Sequence, residues 1–302
     1  MGEILLRTAG YVAVIVLGYL LRRFGVLRAE DFRVISTLVM KVTLPAAVII
    51  NFSGKEMDIS LLFVTALALI FGCLCMALGY LLNRRGTKEE QAFCVLNYSG
   101  YNIGNFTMPF VQSFLGSTGV IVTGLFDVGN VVVCLGGAAA VADVLRRGSR
   151  LSLKKVAVSM SRSVCFLTYV VMTVLTFCGI TLPATLLDWV AIPANANVFL
   201  SMLMIGVGFS GVQSAGQWKT IRRFLVGRYG LAAILALVCW FVLPFDAEIR
   251  RVLVVLVFAP LASANLPFTR EMEGDVGLAS AMSSVSILVS IVCMVTLLTF
   301  LA

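Results

Sequence analysis

Residues 96–111 read LNYSGYNIGNFTMPFV, a polar stretch within a chain that is otherwise strongly apolar. These sixteen residues include three asparagines, two tyrosines, two glycines and a proline. Proline lacks the amide hydrogen that a helix needs, and glycine loosens the backbone further. Because backbone groups freed in this way cannot face lipid, we expect a helix break here that faces protein or a watery cavity.

The composition of the whole chain is typical of a membrane protein. Of its 302 residues, 60% are hydrophobic and only 13% are charged, whereas soluble domains carry about 25% charged residues. Apolar runs of about 20 residues recur along the sequence, which predicts an all-α polytopic membrane protein. Ten spans are predicted, numbered in chain order: 4–21, 32–52, 61–82, 92–115, 120–145, 162–180, 195–212, 224–243, 249–269 and 279–301.

Lysine and arginine are divided unequally between the loops that connect these spans. The odd-numbered loops hold 18 of them and the even-numbered loops hold 3. The central loop, 146–162, contributes six, and the seventh loop contributes Lys219, Arg222, Arg223 and Arg228. Since cytoplasmic loops are rich in these residues, the odd loops are predicted to be cytoplasmic and both termini extracytoplasmic. The paired arginines are therefore interpreted as membrane anchors, and no nucleic-acid partner is expected.

The central basic loop divides the chain into 1–150 and 151–302, with five spans in each half. Because five is odd, the second half enters the membrane in the opposite orientation, which predicts two inverted repeats. Span nine, the fourth of its half, is interrupted as span four is: residues 259–271 read APLASANLPFTRE. Interrupted spans at matching positions are typical of a transporter's substrate site. The alternative is a pair of ordinary proline kinks.

Polar side chains at the two breaks are the candidate binding residues: Asn97, Asn102, Asn105, Ser263 and Asn265. The interruptions are assigned to Gly104, Pro109, Pro260 and Pro267, with Pro109 placed to open a second half-helix. Two half-helix N-termini that face one cavity would favour an anion, because each carries a partial positive charge. The asparagine amides could instead serve only to hold helices together.

Two charged residues lie deep within predicted spans. Lys41, in span two, could bind an anion or act in coupling, or it could snorkel or form a structural ion pair. Asp127 and Asn130 are three residues apart in span five and so share a helix face. Asp127 could pair with Lys41, bind sodium or carry a proton. Both residues are candidates for ion coupling.

Enzyme chemistry is not indicated. The chain has no histidine, the commonest metal ligand and proton shuttle. Acyl-transfer triads, metal-binding clusters and phosphate-binding loops are missing from the sequence. We therefore expect no enzyme activity, no cofactor and no metal site.

The segment NIGNFTMP, residues 102–109, resembles the fourth-helix signature of the auxin efflux carrier family. This family includes plant PIN-type carriers and bacterial malate-permease-like proteins. Three other segments are similar to motifs of the family and occur in the same order: LPA at 44–46, FLSMLMIGVGFSG at 199–211 and FAPLASANLPFTRE at 258–271. The chain departs from the pattern at Thr107, where the family usually has glycine.

The resemblance implies ten helices in two inverted repeats, as in PIN-like and bile-acid-symporter-like transporters. It implies a scaffold of spans 1, 2, 6 and 7, often dimeric, and a transport domain of spans 3–5 and 8–10. Spans four and nine would cross at their breaks, with substrate bound beside the crossing and with Asn97, Asn102 and Pro260 at family positions. The long hydrophilic loop of many plant members is absent, which favours a compact carrier of the bacterial inner membrane and disfavours auxin as substrate.

These observations predict a secondary active transporter of a small organic anion, a carboxylate in our interpretation, that works by elevator-type alternating access. Its expected partners are the anion, the lipid bilayer, a second copy of the chain and, for a coupled carrier, H⁺ or Na⁺. A channel-like facilitator and a membrane sensor on the same fold are the alternatives.

Overall fold

The computed structural model describes residues 2–28, 30–55, 59–148, 153–209 and 215–301. Within these ranges the chain is helical and contains no β-strand. Six stretches are long and apolar enough to cross a membrane: Asp31–Phe52, Leu62–Leu82, Gly116–Arg147, Ala184–Gly208, Gln217–Phe241 and Val276–Leu301. The prediction of a polytopic helical membrane protein is therefore confirmed, and the ten-helix inverted repeat stays a prediction.

Helices in the described residues are numbered in chain order. The first half contains α1 Gly2–Arg23, α2 Asp31–Leu38, α3 Leu44–Phe52, α4 Leu62–Leu82, α5 Lys88–Tyr98, α6 Met108–Phe114, α7 Gly116–Val132 and α8 Ala138–Arg147. The second half contains α9 Leu153–Ser161, α10 Val164–Phe177, α11 Ala184–Gly208, α12 Ala215–Phe241, α13 Ala247–Leu256, α14 Asn265–Glu271 and α15 Val276–Leu301. Wide π-helical turns at Val39–Thr43 and Ile103–Thr107 lead into α3 and α6, and a short 3-10 turn at Ile59–Leu61 precedes α4. The segment Val133–Gly137, between α7 and α8, is a kink in which Leu135 and Gly136 have non-helical backbone angles.

Glycines allow α1 and α11 to pack closely, as small residues do between membrane helices. A side chain at Gly206 would collide with the Ile15 carbonyl, and one at Gly18 would collide with the Leu203 carbonyl. Helix α11 also packs against α2 and α3, and α10 packs against α3, so that spans one, two, six and seven adjoin. Residues 210–211, which end the FLSMLMIGVGFSG segment, lie outside the described residues.

The other spans pack chiefly among themselves. Helix α4 contacts α5 and α7, α5 contacts α8 and α14, and α12 contacts α13 and α15. This arrangement is compatible with a scaffold and a transport domain, and that division stays a prediction.

Span four is interrupted upstream of its proline. Helix α5 ends at Tyr98, Ser99 is extended, and Gly100 has a φ of 71°, a left-handed conformation that glycine adopts without strain. The Ile103–Thr107 turn then leads directly into α6, where Pro109 occupies the first turn. Proline is accommodated there because the first amides of a helix lack intrahelical partners.

Span nine is interrupted over a longer stretch. Helix α13 ends at Leu256 and α14 begins at Asn265, so that residues 257–264 are outside regular helix. Pro260 lies in the middle of this segment, and Pro267 lies inside α14. The break therefore surrounds the first proline of the APLASANLPFTRE segment.

One cation that was assigned to the seventh loop is buried in a helix. Arg228 lies halfway along α12 and is only 3% exposed, so its assignment to the loop is wrong. Position 228 already falls within predicted span eight, 224–243, and α12 begins earlier still, at Ala215, so that the basic cluster before the span is helical as well. Without Arg228 the odd loops hold 17 basic residues (18 minus 1) against 3, and the predicted orientation is unchanged. Arg150 of the central loop lies outside the described residues.

Candidate functional site at the crossing of two broken helices

The breaks of spans four and nine touch each other. The Asn102 amide N–H donates a hydrogen bond of 2.8 Å to the Pro260 carbonyl, which joins the two backbones directly. The side chains repeat this connection, because Asn105 Nδ2 donates to Ser263 Oγ over 2.9 Å. A non-helical segment of one span thus satisfies polar groups of the other, as buried backbone in a membrane requires.

Two further asparagines tie span four to α14. Asn265 Nδ2 donates to the Ser99 carbonyl over 3.2 Å, and Asn97 Nδ2 donates to Thr269 Oγ1 over 3.2 Å. Neither asparagine lines the cavity beside the crossing. Their contacts are those of residues that join helices, which was the alternative considered for these amides.

A cavity of about 70 Å³ lies beside the crossing. Its polar lining includes most of the predicted site: Asn102, Asn105, Asp127, Asn130 and Ser263. A water molecule occupies about 30 Å³ in the liquid, so the cavity has room for about two waters or a small ion. Typical pockets for organic ligands measure about 300–1,000 Å³, so an organic substrate would require the crossing to open.

The Asn102 side chain is the free amide of this cavity. Its backbone is fully used, since its carbonyl accepts from Thr107 N at 3.1 Å and from Thr107 Oγ1 at 2.9 Å. The side chain is 7% exposed and forms no hydrogen bond to any residue that the structure describes. Asn105 Oδ1 is buried and similarly lacks a partner among the described residues. Because buried polar groups are nearly always paired, both amides are candidates to bind a ligand or water.

Asp127 projects a carboxylate to the same cavity. The side chain is 5% exposed, and its Oδ1 accepts a hydrogen bond of 2.9 Å from Asn130 Nδ2. Its Oδ2 faces Gly104, where an added Cβ would lie 3.8 Å away and would also press on Leu44. The glycine in the motif therefore lets span four pack closely against Leu44 of span two, beside the carboxylate.

The structure does not bring Lys41 and Asp127 together. Lys41 is exposed on the turn that precedes α3, and its neighbour Met40 lines the cavity instead. Among the described residues, no lysine or arginine forms an ion pair with Asp127. An ionised carboxylate that is buried without a countercharge is costly, so this position calls for a proton or a bound cation.

Asn130 links this carboxylate to the break. Its Oδ1 accepts from Tyr101 N, and its Nδ2 donates to the Tyr101 carbonyl, both over 2.9 Å. The same Nδ2 reaches Asp127. A change in the charge of the Asp127 carboxylate would therefore alter the hydrogen bonding of Asn130, whose amide also holds the non-helical backbone of span four.

Arg228, which our sequence analysis missed, holds the other side of this break. Its guanidinium donates to the Tyr98 carbonyl at 2.9 Å and the Gly100 carbonyl at 2.8 Å, and it also contacts Cys75 Sγ. It lies over the Tyr101 ring, 4.2 Å from the ring centroid. The carbonyls at the end of α5 form the negative pole of the helix, which favours a cation. An arginine inside an apolar run that has no nearby acid in sequence is the signal that could have revealed it.

A family model described as "Membrane transport protein" matches residues 11–144. The matched region includes the span-four break, Asp127 and Asn130, as well as the motifs at 44–46 and 102–109. The match confirms the family resemblance that these motifs indicated, and the expectation of a transporter in preference to an enzyme agrees with it. No curated protein matches the chain.

Proposed function

We propose that this chain, whose residues 11–144 match a membrane transport protein family model, is a secondary active transporter of a small organic anion of the carboxylate class. One observation carries the proposal: two interrupted spans meet through the Asn102–Pro260 hydrogen bond beside a buried polar cavity. That cavity contains an unpartnered amide oxygen on Asn105 and the carboxylate of Asp127. Broken helices with polar groups at their meeting point are typical of transporter binding sites.

Substrate binding would use amide groups of span four. The Asn102 amide presents N–H donors that have no partner among the described residues, and the Asn105 amide has a second N–H besides the one that it donates to Ser263 Oγ. The Ile103 amide at the start of the Ile103–Thr107 turn is already used, because it donates to the Tyr101 carbonyl. Side-chain amide donors bind carboxylate oxygens, and the positive pole of the turn adds to the attraction. Ser263, on span nine, supplies a hydroxyl from the opposite side. Lys41 would act as a charge partner only in a conformation that turns it toward the cavity.

The position of Asp127 suggests how transport is coupled. A substrate carboxylate in this cavity would lie near the Asp127 carboxylate, and two like charges repel strongly where water is excluded. A proton or a sodium ion on Asp127 removes this repulsion, so the cation and the organic anion would bind together. Cotransport of the two in the same direction follows from this arrangement.

The burial of the site favours a carrier over a channel-like facilitator. Asn102, Asn105 and Asp127 are each 7% exposed or less, so they do not line a wide pore. Alternating access would expose them by moving spans 3–5 and 8–10 past spans 1, 2, 6 and 7, in an elevator movement. A homodimer built on the latter group would hold it still in the membrane.

Coupling is tested by uptake of labelled organic acids into proteoliposomes, with and without an imposed pH or sodium gradient. For the wild type we expect one of these gradients to stimulate uptake. In Asp127→Asn, which keeps the size of the side chain but not its charge, we expect uptake that ignores both gradients. Asp188→Asn is the matched control, because Asp188 is an exposed acid of α11 far from the cavity lining.

Two outcomes would contradict the proposal. Gradient dependence that survives in Asp127→Asn would remove this residue from the coupling step. Flux that does not saturate and ignores every gradient in the wild type would replace the carrier by a facilitator.

A further inference from the structure

A second and much larger cavity, of about 1060 Å³, lies away from the crossing. It is lined by α5 and the turn before it, by the first half of α12, and by α15 and the turn before it. These segments include loops three and nine and the basic start of α12, so the charge bias predicts that the cavity opens at the cytoplasmic end. It shares no lining residue with the smaller cavity.

The floor of this large cavity is apolar and aromatic. Its largest apolar lining residues are Phe93, Tyr98, Phe224, Leu278 and Met282. The Tyr98 and Phe224 rings meet edge to face with their centroids 4.5 Å apart. A hydrocarbon chain is the ligand group that such a floor suits best.

Two of the four acidic side chains at the rim, Glu89 and Glu90, accept hydrogen bonds at the start of α5. Glu90 closes a capping box, since its carboxylate accepts from Thr87 N at 2.9 Å while Thr87 Oγ1 accepts from Glu90 N at 3.2 Å. Hydrogen bonds from its own backbone and from Thr87 lower the pKa of Glu89. Both carboxylates therefore serve the N-terminus of the helix, as capping residues do.

The other two acids at the rim are also engaged. Asp275 Oδ1 accepts a hydrogen bond of 2.8 Å from Leu278 N at the start of α15. Glu273 forms an ion pair of 3.4 Å with Arg146 of α8. Local partners thus compensate much of the negative charge around this cavity.

Three of the four basic side chains at the rim have no hydrogen-bond or ion-pair partner among the described residues. The side chains of Arg84, Arg85 and Lys219 are exposed and form no hydrogen bond or ion pair with any described residue. The fourth, Arg223, donates to the Leu82 carbonyl. Together with Arg146, which pairs with Glu273, five basic side chains lie near four acidic ones, and three of the basic side chains are free to contact an anion.

We propose that this cavity binds an anionic phospholipid, with the headgroup phosphate at Arg84, Arg85 and Lys219 and an acyl chain on the aromatic floor. Basic pockets between membrane helices on the cytoplasmic side bind such headgroups, and the arginine fork matches phosphate geometry. The volume is far larger than a small carboxylate needs. The floor includes Tyr98, the last residue of α5 before the break, so the bound lipid would also steady that end of the helix.

The test compares binding of phosphatidylglycerol and phosphatidylcholine to the purified full chain, by native mass spectrometry and by the shift in melting temperature. We expect the wild type to prefer phosphatidylglycerol, and the triple variant Arg84→Gln/Arg85→Gln/Lys219→Gln to bind it about 100-fold more weakly. The control is Arg28→Gln/Arg33→Gln/Lys154→Gln, which removes three exposed bases that do not line the cavity. Equal melting temperatures in phosphatidylcholine would show that all three proteins are folded.

Three results would overturn this proposal. The first is a wild type that does not distinguish the two lipids, and the second is a triple variant that binds phosphatidylglycerol as the control does. The third uses glycerol phosphate, which carries the headgroup chemistry without acyl chains. If it binds and stabilises the wild type as strongly as the lipid, the ligand is a soluble phosphate compound and not a lipid.

Discussion

The breaks of spans four and nine meet at one point, but they are held in different ways. In span four, side chains from three other helices bind the non-helical backbone, one of them Asn265 of α14, which donates to the Ser99 carbonyl. Arg228 of α12 donates to the Gly100 carbonyl. Asn130 of α7 accepts from the Tyr101 N–H and donates to the Tyr101 carbonyl. This break is therefore fixed by a charged group and a fully used amide, each buried.

In span nine, the non-helical segment is stabilised chiefly by hydrogen bonds within its own backbone. Backbone turns connect this segment to the end of α13, and in one of them Ala259 N donates a hydrogen bond of 2.9 Å to the Leu256 carbonyl. Ser286 of α15 adds a neutral side-chain contact, in which its Oγ accepts from Leu261 N over 3.2 Å. The two halves thus share an interrupted helix but not the chemistry that stabilises it. The side chains that we propose for coupling and substrate binding are concentrated near the span-four break, which charged and amide groups hold in place.

The largest loss of stability is expected for Arg228→Gln. The change withdraws donors from two buried carbonyls, and each unsatisfied group costs about 1–3 kcal/mol, so the free energy of unfolding should fall by about 2–6 kcal/mol. Thermal unfolding in detergent would measure this against Arg222→Gln, which alters an exposed arginine of the same helix. Equal melting temperatures for the two variants would show that Arg228 does not hold the break.

The next largest effect is expected for Gly100→Ala. The position has a left-handed φ, and an added Cβ would collide with Cys134 Sγ, so we expect a loss of about 2–5 kcal/mol from backbone strain and overpacking together. Gly148→Ala is the control, because its φ is 66° but its surroundings are open. Chemical denaturation should separate the two variants, and equal losses would mean that packing at the break contributes nothing.

The smallest effect is expected in span nine. Ser286→Ala removes one neutral acceptor from Leu261 N, which should cost about 1 kcal/mol. The control is Ser161→Ala, whose hydroxyl bonds only to its own helix. The same thermal measurement applies, and a loss as large as that of Arg228→Gln would mean that the two breaks are held equally and that the contrast is wrong.

The sequence was sufficient for features that depend on local composition. Hydropathy predicted the helical spans, and glycine, proline and asparagine content identified the two interrupted spans that cross, but not the kink at Leu135 and Gly136 in span five. The exact position of the span-four break was less accessible, because Pro109 fits the first turn of a helix and the left-handed Gly100 carries the interruption. Residue type shows that a helix can bend, whereas the neighbours decide where it does.

The roles of individual polar residues depended on contacts that sequence does not contain. Asn97 and Asn102 look equivalent in the motif, but one bonds to Thr269 and the other projects an unpartnered amide into the cavity. Arg228 follows a basic cluster and so was counted with a loop. Lys41 is one position away from the residue of its turn that lines the cavity. A helix face cannot be assigned from sequence where π-turns change the rotation between residues.

The most direct test of the account is uptake of labelled malate, and of a panel of other weak acids, into proteoliposomes that contain wild type, Asn102→Ala or Asn51→Ala. Asn51 is the control, because among the described residues its amide bonds only to the Ala47 carbonyl of its own helix. The Asn102 side chain has no partner among the described residues, so its removal should leave the melting temperature unchanged. We predict saturable uptake in the wild type and the control, and a loss of about 10–100-fold in Asn102→Ala, as expected for a hydrogen bond to a charged substrate. Uptake by a folded Asn102→Ala at the wild-type rate would contradict the account, because the transport site would then lie away from the crossing.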